Sequence, residues 1–280
     1  MISEIQINTS AFGKISEQAD SLIIELSGST IQFCEMNAEQ NKLLFIASYP
    51  IETNSDLSII ENLINAIRHF QFSKKSYKNI YVNYFNTQFT LCPINFYVKE
   101  NLRSLLEFNI GSINDQLIET DDITADIKLI YAVNEQLKST LDNLFPNHHI
   151  KHTLSVLTKL MLNAEEMVKE NILISLHATH IEIIVKQDHK LILANQYAIK
   201  TQEDVLYYIL FILEQYQLNP LFVNVCVTGN IDSNSTLITS LKKYIKNIRL
   251  AKGHKSLDWQ NVSGLPQHFN YTLINRIFCE

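Results

Sequence analysis

Histidine and cysteine carry the widest chemical range in this 280-residue chain, and five of its nine histidines fall into two groups. His148, His149 and His152 follow Pro146, while His177 and His180 flank a short polar segment. Zinc or a related cation needs three or four converging donors, and neither group is joined by a carboxylate or cysteine at a recognised motif spacing. The spacing therefore predicts no metal centre, and the histidines read as surface or capping residues. Cys34, Cys92, Cys226 and Cys279 lie far apart, show no C-x-x-C spacing, and three of them sit inside apolar runs. They read as buried thiols, since free cysteine packs as a small hydrophobe. A Gly-x-Ser-x-Gly nucleophile elbow, a P-loop and a dinucleotide fingerprint are all missing. With only 6 glycines, the chain has few places where main chain could lie against a nucleotide.

The net charge of −6 provides no overall basic field for a phosphate backbone. Lys242, Lys243, Lys246, Arg249, Lys252 and Lys255 form a local basic run. Without an interleaved aromatic platform it reads as a solvated helix face with cations near a helix end, so nucleic acid is not an expected partner. Trp259, among polar neighbours in residues 253–264, is expected to be partly buried. No apolar run approaches the ~18 residues of a membrane span. The opening Met1-Ile-Ser-Glu-Ile5 lacks the basic start and apolar core of a signal peptide, so the sequence predicts a cytoplasmic protein.

The elements that would position any chemistry are written twice. Leu22-Ile-Ile-Glu-Leu-Ser-Gly-Ser-Thr-Ile31 has the same polar and apolar order as Ile172-Leu-Ile-Ser-Leu-His-Ala-Thr-His-Ile181. Each is followed by a second apolar run, from Lys42 or Lys190, leading to Tyr49 or Tyr197. A repeat of this length indicates gene duplication and two similar domains, divided here as residues 1–150 and 151–280. With 46% hydrophobic residues, each half can bury its own core. Residues 21–50 read as three strands, followed by a helix with Leu57, Ile60, Leu63, Ile64, Ile67 and Phe70 on one face and Ser55 as its N-cap. Strands follow near residues 80–85 and 88–92, the latter ended by Pro93, and a helix carries Val98, Leu102, Leu105 and Leu106. A buried strand over 127–132, a helix from Asn134 that stops before Pro146, and an amphipathic helix over 153–168 complete the first half. The second half repeats three strands over 171–199, a helix through Val205, Ile209 and Ile212, a strand over 221–227 and a helix through Leu237, Leu241 and Ile245.

Two copies of a three-strand antiparallel start followed by alternating helices and strands resemble the actin-like ATPase (ribonuclease H-like) superfamily, which includes bacterial division and pilus-assembly proteins. More narrowly, the chain resembles an uncharacterised bacterial family assigned that fold, over residues 21–279. The resemblance implies an α/β architecture of duplicated actin-like domains, each a mixed sheet with flanking helices. In the superfamily the first hairpin turn of each domain is an Asp-x-Gly turn whose amides hold phosphate while its carboxylate organises Mg²⁺; phosphate requires unobstructed N–H groups and Mg²⁺ requires oxygen ligands. The matching positions in the first copy are Glu25 and Ser27, with Gly28, Ser29 and Thr30 after them. In the second copy the carboxylate position is Ser175, His177 stands where phosphate would approach, and Thr179 is the remaining phosphate candidate. Thr228, Gly229 and Asn230 resemble the Thr-Gly-Gly turn that contacts adenosine, with Asn230 in place of the second glycine.

Loss of a preorganised charge of this kind removes orders of magnitude of catalysis. The leading expectation is thus a non-catalytic, actin-like pseudo-ATPase without a bound cofactor. It would act as a binding or scaffold protein, presenting a cleft or sheet edge to a protein or peptide partner. The alternative is a nucleotide-binding switch or weak Mg-ATPase, with Glu25 ordering Mg²⁺ and the other residues named above holding ATP.

Overall fold

The computed structural model describes residues 10–51 and 58–279, which divide into two compact units. One runs to Val156 and includes Asp258–Ser263; the other comprises Leu157–Leu257 and the chain from Gly264 onward.

The first unit holds β1 (Ser10–Gly13), β2 (Ser21–Leu26), β3 (Thr30–Asn37), β4 (Lys42–Pro50), α1 (Ile59–His69) and β5 (Asn79–Tyr84). It continues with β6 (Phe89–Pro93), α2 (Leu102–Ile110), β7 (Leu117–Thr124), β8 (Ile127–Val133), α3 (Glu135–Leu144), β9 (His148–His152) and α4 (Thr153–Asn163), within which the division falls. Its main sheet has the order β1-β4-β3-β2-β5-β9, antiparallel from β1 to β2 and parallel from β2 to β9. Alternation along β2 sends Leu22, Ile24 and Leu26 into a core with Ile31, Phe33 and Phe45 and with Leu63 and Ile67 of α1 and Leu137 and Leu141 of α3. Phe33, Phe45, Phe70 and Phe72 pack there with ring centroids 4.9–6.3 Å apart. A separate antiparallel sheet, β6-β8-β7, lies between β5 and α3 in the chain and packs against α2 over a small core of its own.

The second unit contains β10 (Ile172–Leu176), β11 (His180–Gln187), β12 (Lys190–Ala198), α5 (Gln202–Gln215), β13 (Asn224–Gly229), α6 (Thr236–Leu241), β14 (Asn247–Leu250) and α7 (Tyr271–Asn275). Its sheet order is β12-β11-β10-β13-β14, antiparallel from β12 to β10 and parallel from β10 to β14. This matches the β4-β3-β2-β5-β9 portion of the first sheet strand for strand. Ile172, Ile174 and Leu176 pack with Val225, Val227, Val205, Ile209 and Leu237. Lys186 is buried on β11 and donates its ammonium hydrogens to the carbonyls of Met161 and Met167, at 2.9 and 2.7 Å. A cation is thereby placed on one carbonyl in the last turn of α4 and one in the short 3-10 turn after it, and burial pushes its pKa down.

Several local expectations are corrected. Ser55 and Leu57 lie outside the described residues; α1 is capped by Ser58, in a reciprocal box with Glu61. The strand expected from residue 221 begins at Asn224, because Phe222 and Val223 donate back to the Asn219 carbonyl and leave Leu221 and Phe222 exposed. The basic run is not one helix face. α6 ends at Leu241, and Arg249 lies on β14, where its Nε donates to Glu170 at 2.8 Å. The segment from His148 to His152 is a strand parallel to β5, with His152 fully buried. All four cysteines are buried free thiols, and desolvation raises that of Cys226 to about 12.

His148 gives the fold a pH dependence. Its Nδ1 lies 2.9 Å from the Phe145 carbonyl, and its buried Nε2, where a second proton would go, has no hydrogen-bond partner. Burial therefore lowers its pKa, reinforced by Lys138 and His149 and opposed by the Phe145 carbonyl and Asp142. Between the folded and unfolded pKa values the unfolded chain binds more protons, so stability is present above about 6.5 and is lost as pH falls through the folded value. Urea midpoints at pH 7 and pH 5 are expected to show a drop on acidification that is smaller in His148→Gln. An equal drop in both proteins would remove His148 from the account.

Candidate functional site

The hairpin turn between β2 and β3 gathers Glu25, Ser27, Gly28, Ser29 and Thr30. Glu25 is buried near the end of β2, opposite Gln32 on β3 and Asn83 on β5, and Asn83 Nδ2 donates to its Oε2 at 3.0 Å. The turn closes on itself. Ser27 N–H donates to the Thr30 carbonyl at 3.0 Å, and Thr30 N–H donates to the Ser27 hydroxyl oxygen at 3.1 Å. The Ser27 hydroxyl lies 2.9 Å from both the carbonyl and the hydroxyl of Thr30. Open space surrounds Gly28, with nothing within 4 Å of where a Cβ would stand.

The turn between β10 and β11 has the same skeleton. His177 N–H donates to the His180 carbonyl at 3.0 Å, and Ile199 N–H to the Thr179 carbonyl at 2.9 Å, as Ile51 N–H does to Ser29 in the first turn. Ser175 stands opposite Glu182 on β11 and Thr228 on β13, just as Glu25 stands opposite Gln32 and Asn83. A carboxylate that the second copy lacks at position 175 thus reaches the same place from the neighbouring strand. His177 Nε2 lies 2.9 Å from Ser175 Oγ and 3.2 Å from Glu182 Oε2. The His177 and His180 rings stack, with centroids 4.2 Å apart and planes 8° from parallel. Thr179 Oγ1 is 3.4 Å from His180 Nδ1. Serine, histidine and acid do not form a nucleophilic relay here: such a relay uses the two different ring nitrogens, whereas Ser175 and Glu182 both meet Nε2.

The third group sits where β13 ends. The buried Thr228 hydroxyl and the Gly229 N–H both donate to the His268 carbonyl, at 2.7 and 2.9 Å, and the His268 ring in turn lies 2.8 Å from the Ile231 carbonyl. Gly229 has φ +102°, and a Cβ there would stand 2.1 Å from the Leu176 carbonyl oxygen. Only glycine serves at this position. The positive φ belongs to Gly229 and not to Asn230, which is exposed.

The candidates therefore fall into separate groups: Glu25 with Ser27, Gly28, Ser29 and Thr30 in the first unit, and in the second Thr179 in the β10–β11 turn and Thr228, Gly229 and Asn230 at the end of β13. Asn83, Glu182 and His268 escaped the sequence reading. Register across the hairpin could have found Glu182, which follows Ser175 by the same seven residues that separate Gln32 from Glu25. As arranged, Ser27, Thr228 and Gly229 are engaged within the protein, the His177 imidazole is held by Ser175 and Glu182, and the space over Gly28 is open.

The hairpin start and parallel continuation of the sheets define a protein of the actin-like ATPase fold. A Bacteroides thetaiotaomicron protein with actin-like ATPase fold and unknown function is similar at TM-score 0.72 and 21% identity, over 84% of this chain and 91% of that one. A chain of the PilM–PilN type IV pilus biogenesis complex matches at TM-score 0.58 and 13% identity, over 93% and 95% of the two chains. The cytoplasmic domain of EpsL, an inner membrane component of the type II secretion system of Vibrio cholerae, matches at TM-score 0.50 and 11% identity, also over 93% and 95%. The chain belongs to the family described as "Protein of unknown function (DUF3822)", which matches residues 9–248. No curated protein matches it. Among the described residues, no helix is long and apolar enough to cross a membrane.

Proposed function

We propose that this protein is a non-catalytic, actin-like scaffold whose two duplicated domains, residues 1–150 and 151–280, have exchanged nucleotide binding for recognition of a protein or peptide partner in the cytoplasm. The observation that carries this reading is His177, hydrogen-bonded to Ser175 and Glu182 in the turn where a phosphate would rest. The engagement of Thr228 and Gly229 by the His268 carbonyl supports it. A sheet edge is the surface offered. β1 covers the outer edge of β4, whereas among the described residues no strand pairs with the corresponding edge of β12. An uncovered edge presents backbone donors and acceptors that an extended peptide can pair with. Two of the similar structures are named for pilus-biogenesis and secretion assemblies, which agrees with a role in an assembly.

Calorimetric titration with ATP and Mg²⁺, paired with a thermal shift, tests the reading. A nucleotide at ~100 times its dissociation constant would stabilise the fold by about 2.7 kcal/mol. No heat and no shift are expected. Saturable ATP turnover that disappears in Glu25→Ala would instead establish the competing reading, a weak Mg-ATPase or nucleotide switch, for which the open space over Gly28 speaks.

A further inference from the structure

We propose that His177, His180 and Glu182 form a binding site for a late first-row divalent cation of the zinc type. The three side chains each offer one donor atom, and these atoms lie within 4.8 Å of one another. Their convergence follows from local geometry. His180 and Glu182 share one face of β11 because strand side chains alternate with period two. The four-residue turn, closed by the bond from His177 N–H to the His180 carbonyl, brings His177 back over the same face. β10 and β11 are interior strands of the sheet, flanked by β13 and β12, so the backbone carrying these groups is held on both sides.

The donor set selects the ion. Two imidazoles and one carboxylate are the protein ligands of zinc sites that keep an open fourth position, whereas Mg²⁺ and Ca²⁺ take oxygen ligands. Ser175 Oγ, 2.9 Å from His177 Nε2, stands beside that open position. Glu182 is fully buried while the His177 side chain is 21% exposed, which gives a neutralising carboxylate below and a route for the ion above. Zinc bonds to nitrogen and oxygen are about 2.0–2.2 Å long. Donors must therefore draw closer than their present spread, and one imidazole must turn out of the parallel stack, since parallel ring planes cannot both contain the ion. Binding thus exchanges the His177–Glu182 hydrogen bond for two coordination bonds and breaks the ring stack.

This site is separate from the scaffold reading, because a protein that ignores ATP can bind zinc or fail to. The test uses the full chain, stripped with a chelator and titrated with Zn²⁺ against a chromophoric competitor, with Co²⁺ absorption as a second readout. One equivalent per chain is expected, with a dissociation constant of about 1 μM or tighter. His180→Ala and Glu182→Gln should each weaken binding by more than about ten-fold, while His149→Ala and His189→Ala, at exposed positions, leave it unchanged. If Glu182→Gln does not fold, His177→Gln at the exposed rim reads the same site. A folded wild-type protein that takes up no stoichiometric Zn²⁺ at micromolar concentration would overturn the proposal, as would uptake that His177→Gln and His180→Ala leave intact.

Discussion

Gly229→Ala is expected to destabilise the second unit by about 3 kcal/mol or more, a large share of the roughly 5–15 kcal/mol that holds an ordinary domain folded. The residue sits at φ +102°, and the new methyl carbon would lie 2.1 Å from the Leu176 carbonyl oxygen and 2.9 Å from the Leu176 amide nitrogen. Both are backbone atoms of β10, which pairs with β13 through Leu176 and Gly229 themselves. Nothing there can rotate aside. Relief requires the two strands to separate, and that would also strain the bonds from Thr228 and Gly229 to the His268 carbonyl. Gly28→Ala is the matched control in the first unit: its Cβ would meet nothing within 4 Å and its φ is ordinary, so a change within about 0.5 kcal/mol is expected. Urea denaturation of the three proteins decides the matter. Wild-type stability in Gly229→Ala would mean that β13 does not approach β10 as described.

Glu35→Ala is expected to cost about 3 kcal/mol, because it strips the one acceptor shared by the half-buried Lys75 ammonium, the Tyr77 hydroxyl and the Ser16 N–H. Glu35 is fully buried on β3. Its Oε1 accepts from Tyr77 O–H at 2.5 Å and from the Lys75 ammonium at 2.7 Å, and its Oε2 accepts from Ser16 N–H at 3.1 Å. The same ammonium donates to the Ser16 carbonyl at 2.9 Å, so one carboxylate ties the segment after β1 to the segment before β5. Burial, with the Glu35 hydrogen bond and charge behind it, holds the Tyr77 phenol protonated far above its usual range. A paired replacement separates charge from packing. Glu35→Leu combined with Lys75→Met should be less damaging than Glu35→Ala alone, since breaking a buried pair is worse than replacing it with apolar groups. Thermal unfolding of both variants checks this, and a double variant that is the less stable of the two would refute the ionic explanation.

The residues that alternate or recur at helical spacing were legible in the sequence. Leu22, Ile24 and Leu26 announce β2, and Leu63 and Ile67 announce the buried face of α1, because burial imposes their period. What stayed hidden lacks that period. β7 reads Leu-Ile-Glu-Thr-Asp-Asp-Ile-Thr, β9 reads His-His-Ile-Lys-His, and β14 is embedded in the basic run, so their polar residues hide the strand pattern. β1 has only four residues. The candidate site was half legible for a different reason. The turn residues could be found by counting along the chain, but Glu182 joins them only across the β10–β11 register, and the His268 carbonyl arrives from 40 residues beyond Thr228. Motif spacing does not reveal an acceptor that a distant segment brings, and it reveals one on the neighbouring strand only when the hairpin register is counted.

The small β6-β8-β7 sheet begins and ends beside itself. Phe89 of β6 is paired with Tyr131 of β8, Ala132 N–H donates to the Gln88 carbonyl, and the side chain of Asn86 reaches the Ala132 carbonyl. Its core of Cys92, Leu102, Leu106, Ile113, Ile130 and Ala132 is a cluster distinct from that of the main sheet. The path from β5 to α3 is consequently a doorway through which a whole cassette hangs. It is nonetheless latched at one point, where His152 N–H of β9 donates to Asp121 of β7 at 2.8 Å and the His152 ring meets Phe89 and Tyr131. Extra residues at its far turns would therefore leave the register of β5 against β2 untouched, while changes at this latch would not.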